Sequence, residues 1–166
     1  MSCCGSENSK SPESYQWPWL VNLVYWFTEK IFHSFYPKGS EKRHQQVMRL
    51  FQFCADREHV TACSVYGHIL LFRGVTPWDK KQGVDYLLAA ADQEDPKAAY
   101  QVAELMLKHE HGLTTNEDEV LKYLMLAAKS DHVLAQKRLG RFVEEHSELT
   151  KKLTAEESAY IAQLNT

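Results

Sequence analysis

Tyr86, Tyr123 and Tyr160 stand 37 residues apart, and each is followed by an apolar pair or near-pair: Leu87-Leu88, Leu124-Met125 and Ile161-Ala162. A fixed period of roughly 20–50 residues is the mark of stacked supersecondary units. Such a unit cannot bury its apolar face alone and must lie against a like neighbour. The period therefore argues against one irregular globule. It also bears on function, because a repeat array usually works by holding a partner.

Small residues fix the alignment of the units. The hexapeptide Ala62–Gly67 matches Ala98–Ala103 and Ala135–Gly140, with starts 36 and 37 residues apart. Alanine or glycine at both ends of such a segment lets a neighbouring helix come close. Cys54 falls where other units carry Ala90 and Ala127, and Cys63 falls where Ala99 stands. Both cysteines read as small core residues, since a free thiol packs as a small hydrophobe. Helix starts are marked by Asp79, by Thr115-Asn116, by Asp95 before Pro96, and by Thr154 with Glu157 three residues on. These are N-cap residues, a proline at the first helical position and a capping box. No segment alternates like a strand. The expected fold is all-α: an α/α superhelical solenoid of stacked antiparallel helix pairs. A half unit is expected at 41–61, with units at 62–97, 98–134 and 135–166, within an array over 39–166.

Upstream of the array, residues 1–16 are polar and read as a mobile tail. Residues 17–38 hold an aromatic helix in which Leu20, Val24, Phe27 and Ile31 follow helical spacing with Leu23 beside them. Its polar strip is narrow, so burial on more than one side is expected. Three roles are open to it: a cap on the end of the array, a partner site built on Trp17, Trp19 and Trp26, or a membrane-interface helix.

The run Ala62-x-x-x-Tyr66-Gly67, then Gly74-Val75, Asp79, Tyr86-Leu87 and Ala90-Ala91 resembles the Sel1-like repeat family, a bacteria-rich relative of the tetratricopeptide repeats. Ala98, Ala103, Gly112-Leu113, Tyr123-Leu124 and Ala127-Ala128 repeat the pattern, and Ala135, Leu139-Gly140 and Tyr160 keep part of it. The family usually has glycine shortly after the paired alanines, where this chain has Glu94 and Asp131. The resemblance covers about residues 41–166. It implies a right-handed superhelix used for protein–protein contact; separately, the motifs give no catalytic residue and no cofactor to expect.

Stacked pairs curve, and the inner wall is lined mostly by the first helix of each pair. Its polar residues are the candidate contacts: His68, Arg73, Gln101, Glu104, Lys108, Lys137, Arg138 and Arg141, with Trp78 as an alternative on the loop edge. The cluster is mixed at its centre and basic towards its C-terminal end, which suits an acidic partner segment. His109-Glu110-His111 is the most metal-like local group, but no second His or Cys pair is placed to complete a site. No G-x-S-x-G, P-loop or dinucleotide fingerprint occurs. The net charge of −3 gives no pull towards nucleic acid or anionic membranes. Cysteine usage and the lack of a convincing secretory leader suit the cytoplasm. The expected role is protein binding on the concave face, for example as a bacterial immunity protein or chaperone-like adaptor for a toxin or secreted effector. The rivals are a peripheral membrane protein anchored through residues 1–36, and a hydrolase whose site is not visible in the sequence.

Overall fold

The computed structural model of the chain describes residues 18–35, 41–114, 116–146, 148–149 and 153–164. The expected tail, Trp17, Pro37, Gly39, Cys3, Cys4 and Thr115 lie outside these. Among the described residues there are eight helices and no strand. They are α1 (Pro18–Phe35), α2 (Glu41–Ala55), α3 (Val60–Arg73), α4 (Pro77–Asp92), α5 (Pro96–Leu107), α6 (Glu117–Lys129), α7 (Val133–Glu145) and α8 (Ala155–Leu164). Each helix packs on the next in sequence, and α3 also touches α5 directly. No two second helices meet to that extent.

The helix starts follow from local chemistry. His59, Asp95 and His132 are the N-caps of α3, α5 and α7, accepting from Ala62 N (3.2 Å), Ala98 N (2.8 Å) and Ala135 N (3.2 Å). Thr154 and Glu157 form the expected reciprocal cap. Helix α4 begins earlier than expected. Thr76 is its N-cap and Pro77 opens its first turn, while Asp79 completes the capping box from the third position. Asp79 alone looked like the start because an acidic residue serves either place.

The alignment positions are core. Cys54, Ala62, Cys63, Ala90, Ala98, Ala99, Ala103, Ala127, Ala128 and Ala135 are all buried. Gly67 and Gly83 bring α3 and α4 into backbone contact: a Cβ on Gly67 would stand 2.8 Å from the Gly83 carbonyl oxygen. The inter-unit turns do without glycine. Glu58, Glu94 and Asp131 take positive φ at 59°, 66° and 59°. Each sits in the left-handed place of a helix-ending motif closed by bonds such as Asp95 N to Ala90 O (3.0 Å) and His132 N to Ala127 O (3.2 Å).

The periodic tyrosines tie units together. Tyr86 donates to the Asp56 carboxylate, Tyr123 to that of Asp92 (2.9 Å), and Tyr160 to the Ala128 carbonyl (2.6 Å). In each case the second helix of one pair is held to the end of the previous second helix. Lys129 stands where the first two units have an acid, and the third tyrosine uses the neighbouring backbone instead. Helix α1 buries one side only. Thr28 is buried, and Tyr25 and Phe32 meet Phe51 edge-on, whereas Trp19, Leu20, Leu23, Trp26 and Phe27 are exposed.

Candidate partner-binding surface

The hexapeptide register places the polar residues of the first helices at repeating positions. His68, Glu104 and Arg141 are equivalent, and so are Val65, Gln101 and Arg138. The structure joins these two sets across units. His68 Nδ1 lies 2.9 Å from Gln101 Oε1, and Arg138 Nε lies 3.1 Å from Glu104 Oε1. The next partner along the ladder would meet Arg141, which is exposed at the C-terminal end of the wall. Four of the expected contact residues are thus brought into two pairs, each linking one first helix to the next.

Arg138 also has Glu145 at 3.9 Å. Its charge is spent on two carboxylates, so the outward basic character at this end rests on Lys137 and Arg141. Neither is paired in an ion bridge among the described residues. They frame a shallow groove of about 300 Å³ whose lining also includes Val133, Gln136, Gly140, Glu144 and Leu164. Val133 and Leu134 are well exposed beside it. They escaped the sequence reading because only polar residues were sought on the first helices. A pair of apolar residues straight after an N-cap histidine was the available signal.

The remaining candidates lie towards the edges. Lys108 caps the end of α5 and Arg73 ends α3, both exposed. Phe72, also exposed, lies tilted against His68 at 4.5 Å and adds an aromatic surface that the sequence reading did not include. Trp78 projects from the first turn of α4, away from the polar ladder in sequence and exposed. His109 and His111 follow the end of α5, both with positive φ, and among the described residues no three His, Cys, Asp or Glu side chains gather as a metal site. No described helix is long and apolar enough to cross a membrane.

No protein-family model matches the chain, and no curated protein matches it by sequence. Solved structures do. A protective antigen of uropathogenic Escherichia coli strains, displaying an SLR fold, superposes with a TM-score of 0.60 at 20% identity, over 87% of this chain and 36% of that one. The chain has the Sel1-like repeat fold. A Sel1 repeat protein from Oxalobacter formigenes gives a TM-score of 0.62 at 17% identity, over 87% of this chain and 63% of that one. The present array therefore spans about a third and somewhat under two thirds of these two chains. The Sel1-like fold accounts for the helix pairs, the small-residue contacts and the first-helix wall; at this level of identity it speaks for the fold alone.

Proposed function

We propose that the array is a protein-binding module that holds an acidic partner segment along the first-helix wall, with its firmest grip at the C-terminal end. The observation that carries this reading is the polar ladder. His68–Gln101 and Glu104–Arg138 satisfy one another and hold three first helices in register. Lys137 and Arg141 stand outward over a groove lined by Val133, Gly140 and Leu164 together with Gln136 and Glu144, so cations outnumber acids there two to one. Two cations against one acid, beside a partly apolar floor, suit a carboxylate-bearing segment that also has a hydrophobic residue to bury. The reading assigns no catalytic step. Within it, the partner suggested by the family resemblance is a bacterial toxin or secreted effector, with this chain acting as its immunity protein or adaptor in the cytoplasm.

Site-specific photo-crosslinking in the native host tests the wall. A photoreactive residue at Gln101 or Lys137 should give one discrete protein adduct, and one at Asp85 or Lys122 on the second helices should give none. Adducts from the second helices, or from Trp78 alone, would move the contact off the wall.

A further inference from the structure

Leu23 and Phe27 of α1 are 51% and 60% exposed, yet the residues that share their places in the other units are buried. The register of α1 follows from two ring contacts. Tyr25 stacks on the N-cap His59 at 4.3 Å, as Tyr100 lies against the N-cap His132 at 4.7 Å. Aligning Tyr25 with Tyr100 puts Leu23 at the place of Ala62, Ala98 and Ala135, and Phe27 at the place of Tyr66, Val102 and Leu139. Five of those six are 0% exposed and Tyr66 is 7%. The same alignment puts Thr28, fully buried, at the small-residue place of Gly67, Ala103 and Gly140.

Helix α1 is thus a first helix in repeat register. Like α3 and α5 it has its own second helix behind it and another pair after it; what it lacks among the described residues is a pair before it. The face left open is the one that a preceding pair covers elsewhere. An array end is ordinarily closed by a polar outer surface. Here the outermost described face is a strip of Leu20, Leu23, Trp26 and Phe27 with Trp19 at its edge, all exposed.

We propose that this strip is the contact by which two copies of the chain associate, α1 against α1 across a two-fold axis. A two-fold contact needs a self-complementary patch, which an apolar helix face supplies. Five large side chains about half exposed offer on the order of 500 Å² per copy, or about 1,000 Å² in total, the lower bound of a specific interface. Other occupants fit less well. The charged residues described on α1 are Glu29 and Lys30, which cancel and give no attraction to an anionic bilayer. Residues 1–16 contain no Leu, Ile, Val, Phe or Trp with which to cover the strip. The last described helix, α8, exposes Ala155, Glu156 and Ser158, a poor match for head-to-tail stacking.

Analytical ultracentrifugation of the full chain in reducing buffer, from about 1 to 200 µM, tests the proposal. The mass should rise with concentration from 19.2 kDa to twice that value. Leu23→Glu with Phe27→Glu should abolish the rise while leaving helicity unchanged, because both side chains are exposed in the single chain. A chain that stays at 19.2 kDa throughout, or a double variant that dimerises as its parent does, overturns the proposal. So does a monomer that co-sediments with phosphatidylcholine vesicles and loses that binding in the double variant, since the strip would then face a bilayer. Dimerisation that begins only on deletion of residues 1–16 overturns it as well, by showing that the N-terminal segment occupies the strip.

Discussion

The Tyr123 hydroxyl donates a 2.9 Å hydrogen bond to the Asp92 carboxylate, fastening the middle of α6 to the last residue of α4. The ring is buried, and that burial, then the bond to Asp92, pushes the hydroxyl pKa up from 10.0 to about 12. A period of 37 residues in the sequence is therefore a period of inter-unit ties. Tyrosine serves there because its ring fills the space between helices while its hydroxyl reaches a carboxylate or carbonyl at the end of the previous second helix.

Removing only that hydroxyl should weaken the coupling between units. Tyr123→Phe keeps the packing and loses one hydrogen bond to an exposed carboxylate, a cost of about 1 kcal/mol. At this chain length that corresponds to a fall in melting temperature of about 2–4 °C. A double-mutant cycle with Asp92→Ala, which removes the acceptor, should return a coupling energy of the same size. Additive losses would mean that the bond contributes nothing to stability.

The inter-unit turns carry strain that glycine would relieve. Glu94 holds φ at 66° and Glu58 at 59°, where a Cβ is disfavoured. Glu94→Gly should stabilise the fold by about 0.5–1 kcal/mol, net of the greater freedom glycine has in the unfolded chain. Glu94→Val should destabilise it, because β-branching is least tolerated there. Urea denaturation of the three proteins would rank them Gly, Glu, Val; the reverse order would mean that the turn is not left-handed in solution.

These turns show where the sequence was legible and where it was not. Alanine and glycine spacing, together with the tyrosine period, located the helix pairs because close helix approach tolerates few residue types. The turn conformation was hidden, since Glu and Asp are uncommon at positive φ and only the coordinates show them adopting it. The outer face of α1 was misread for a related reason. Leu23 and Phe27 have core-like spacing, but whether that spacing buries a residue depends on a neighbouring pair that the local pattern does not reveal. Residue type and register singled out His68, Gln101, Glu104 and Arg138 only as candidate contacts; their pairing across units emerged only from the fold.

The Gly67–Gly83 approach gives the sharpest packing test. An added Cβ on Gly67 would lie 2.8 Å from the Gly83 carbonyl oxygen and 3.0 Å from Leu87 Cγ. One of these neighbours is backbone and cannot swing aside. Gly67→Ala should cost about 1–3 kcal/mol by forcing α3 and α4 apart. The control, Gly112→Ala, meets no atom within 4 Å but sits at φ +81°. Its loss would come from backbone strain and should not alter helix–helix packing, so near-ultraviolet dichroism should change for the first variant and not for the second.

Stability should narrow at both ends of the pH scale. Burial lowers the pKa of His59 below the ordinary 6.5, and its neutral Nδ1 accepts from Ala62 N. The unfolded chain then takes up the proton first, so this contribution is complete above pH 6.5 and is lost as the pH falls further. At the alkaline end, burial pushes the Cys54 and Cys63 thiols from 9.0 up to about 11, and the Tyr25 hydroxyl from 10.0 up to about 12. The folded chain keeps protons that the unfolded chain releases, so their contribution is full below pH 9 and falls between pH 9 and 12. Melting temperature measured from pH 5 to 11 should give a plateau between about 7 and 9. His59→Asn retains a capping side chain and should flatten the acid limb alone. An unchanged acid limb would remove His59 as its cause.

Charge at the C-terminal end of the wall should govern partner binding without touching the fold. Lys137 and Arg141 are exposed and form no ion bridge among the described residues, so Lys137→Glu with Arg141→Glu should leave helicity and melting temperature nearly unchanged. The same change should weaken capture of the cross-linked partner by tenfold or more, and the wild-type affinity should fall with salt as an exposed charge contact requires. Arg138→Glu is a different test. It would set a carboxylate against Glu104 and Glu145, now 3.1 and 3.9 Å from the guanidinium, and should loosen the joint between α5 and α7. Binding lost in Arg138→Glu but intact in the Lys137 and Arg141 double variant would assign the wall a purely structural ladder and move the partner elsewhere.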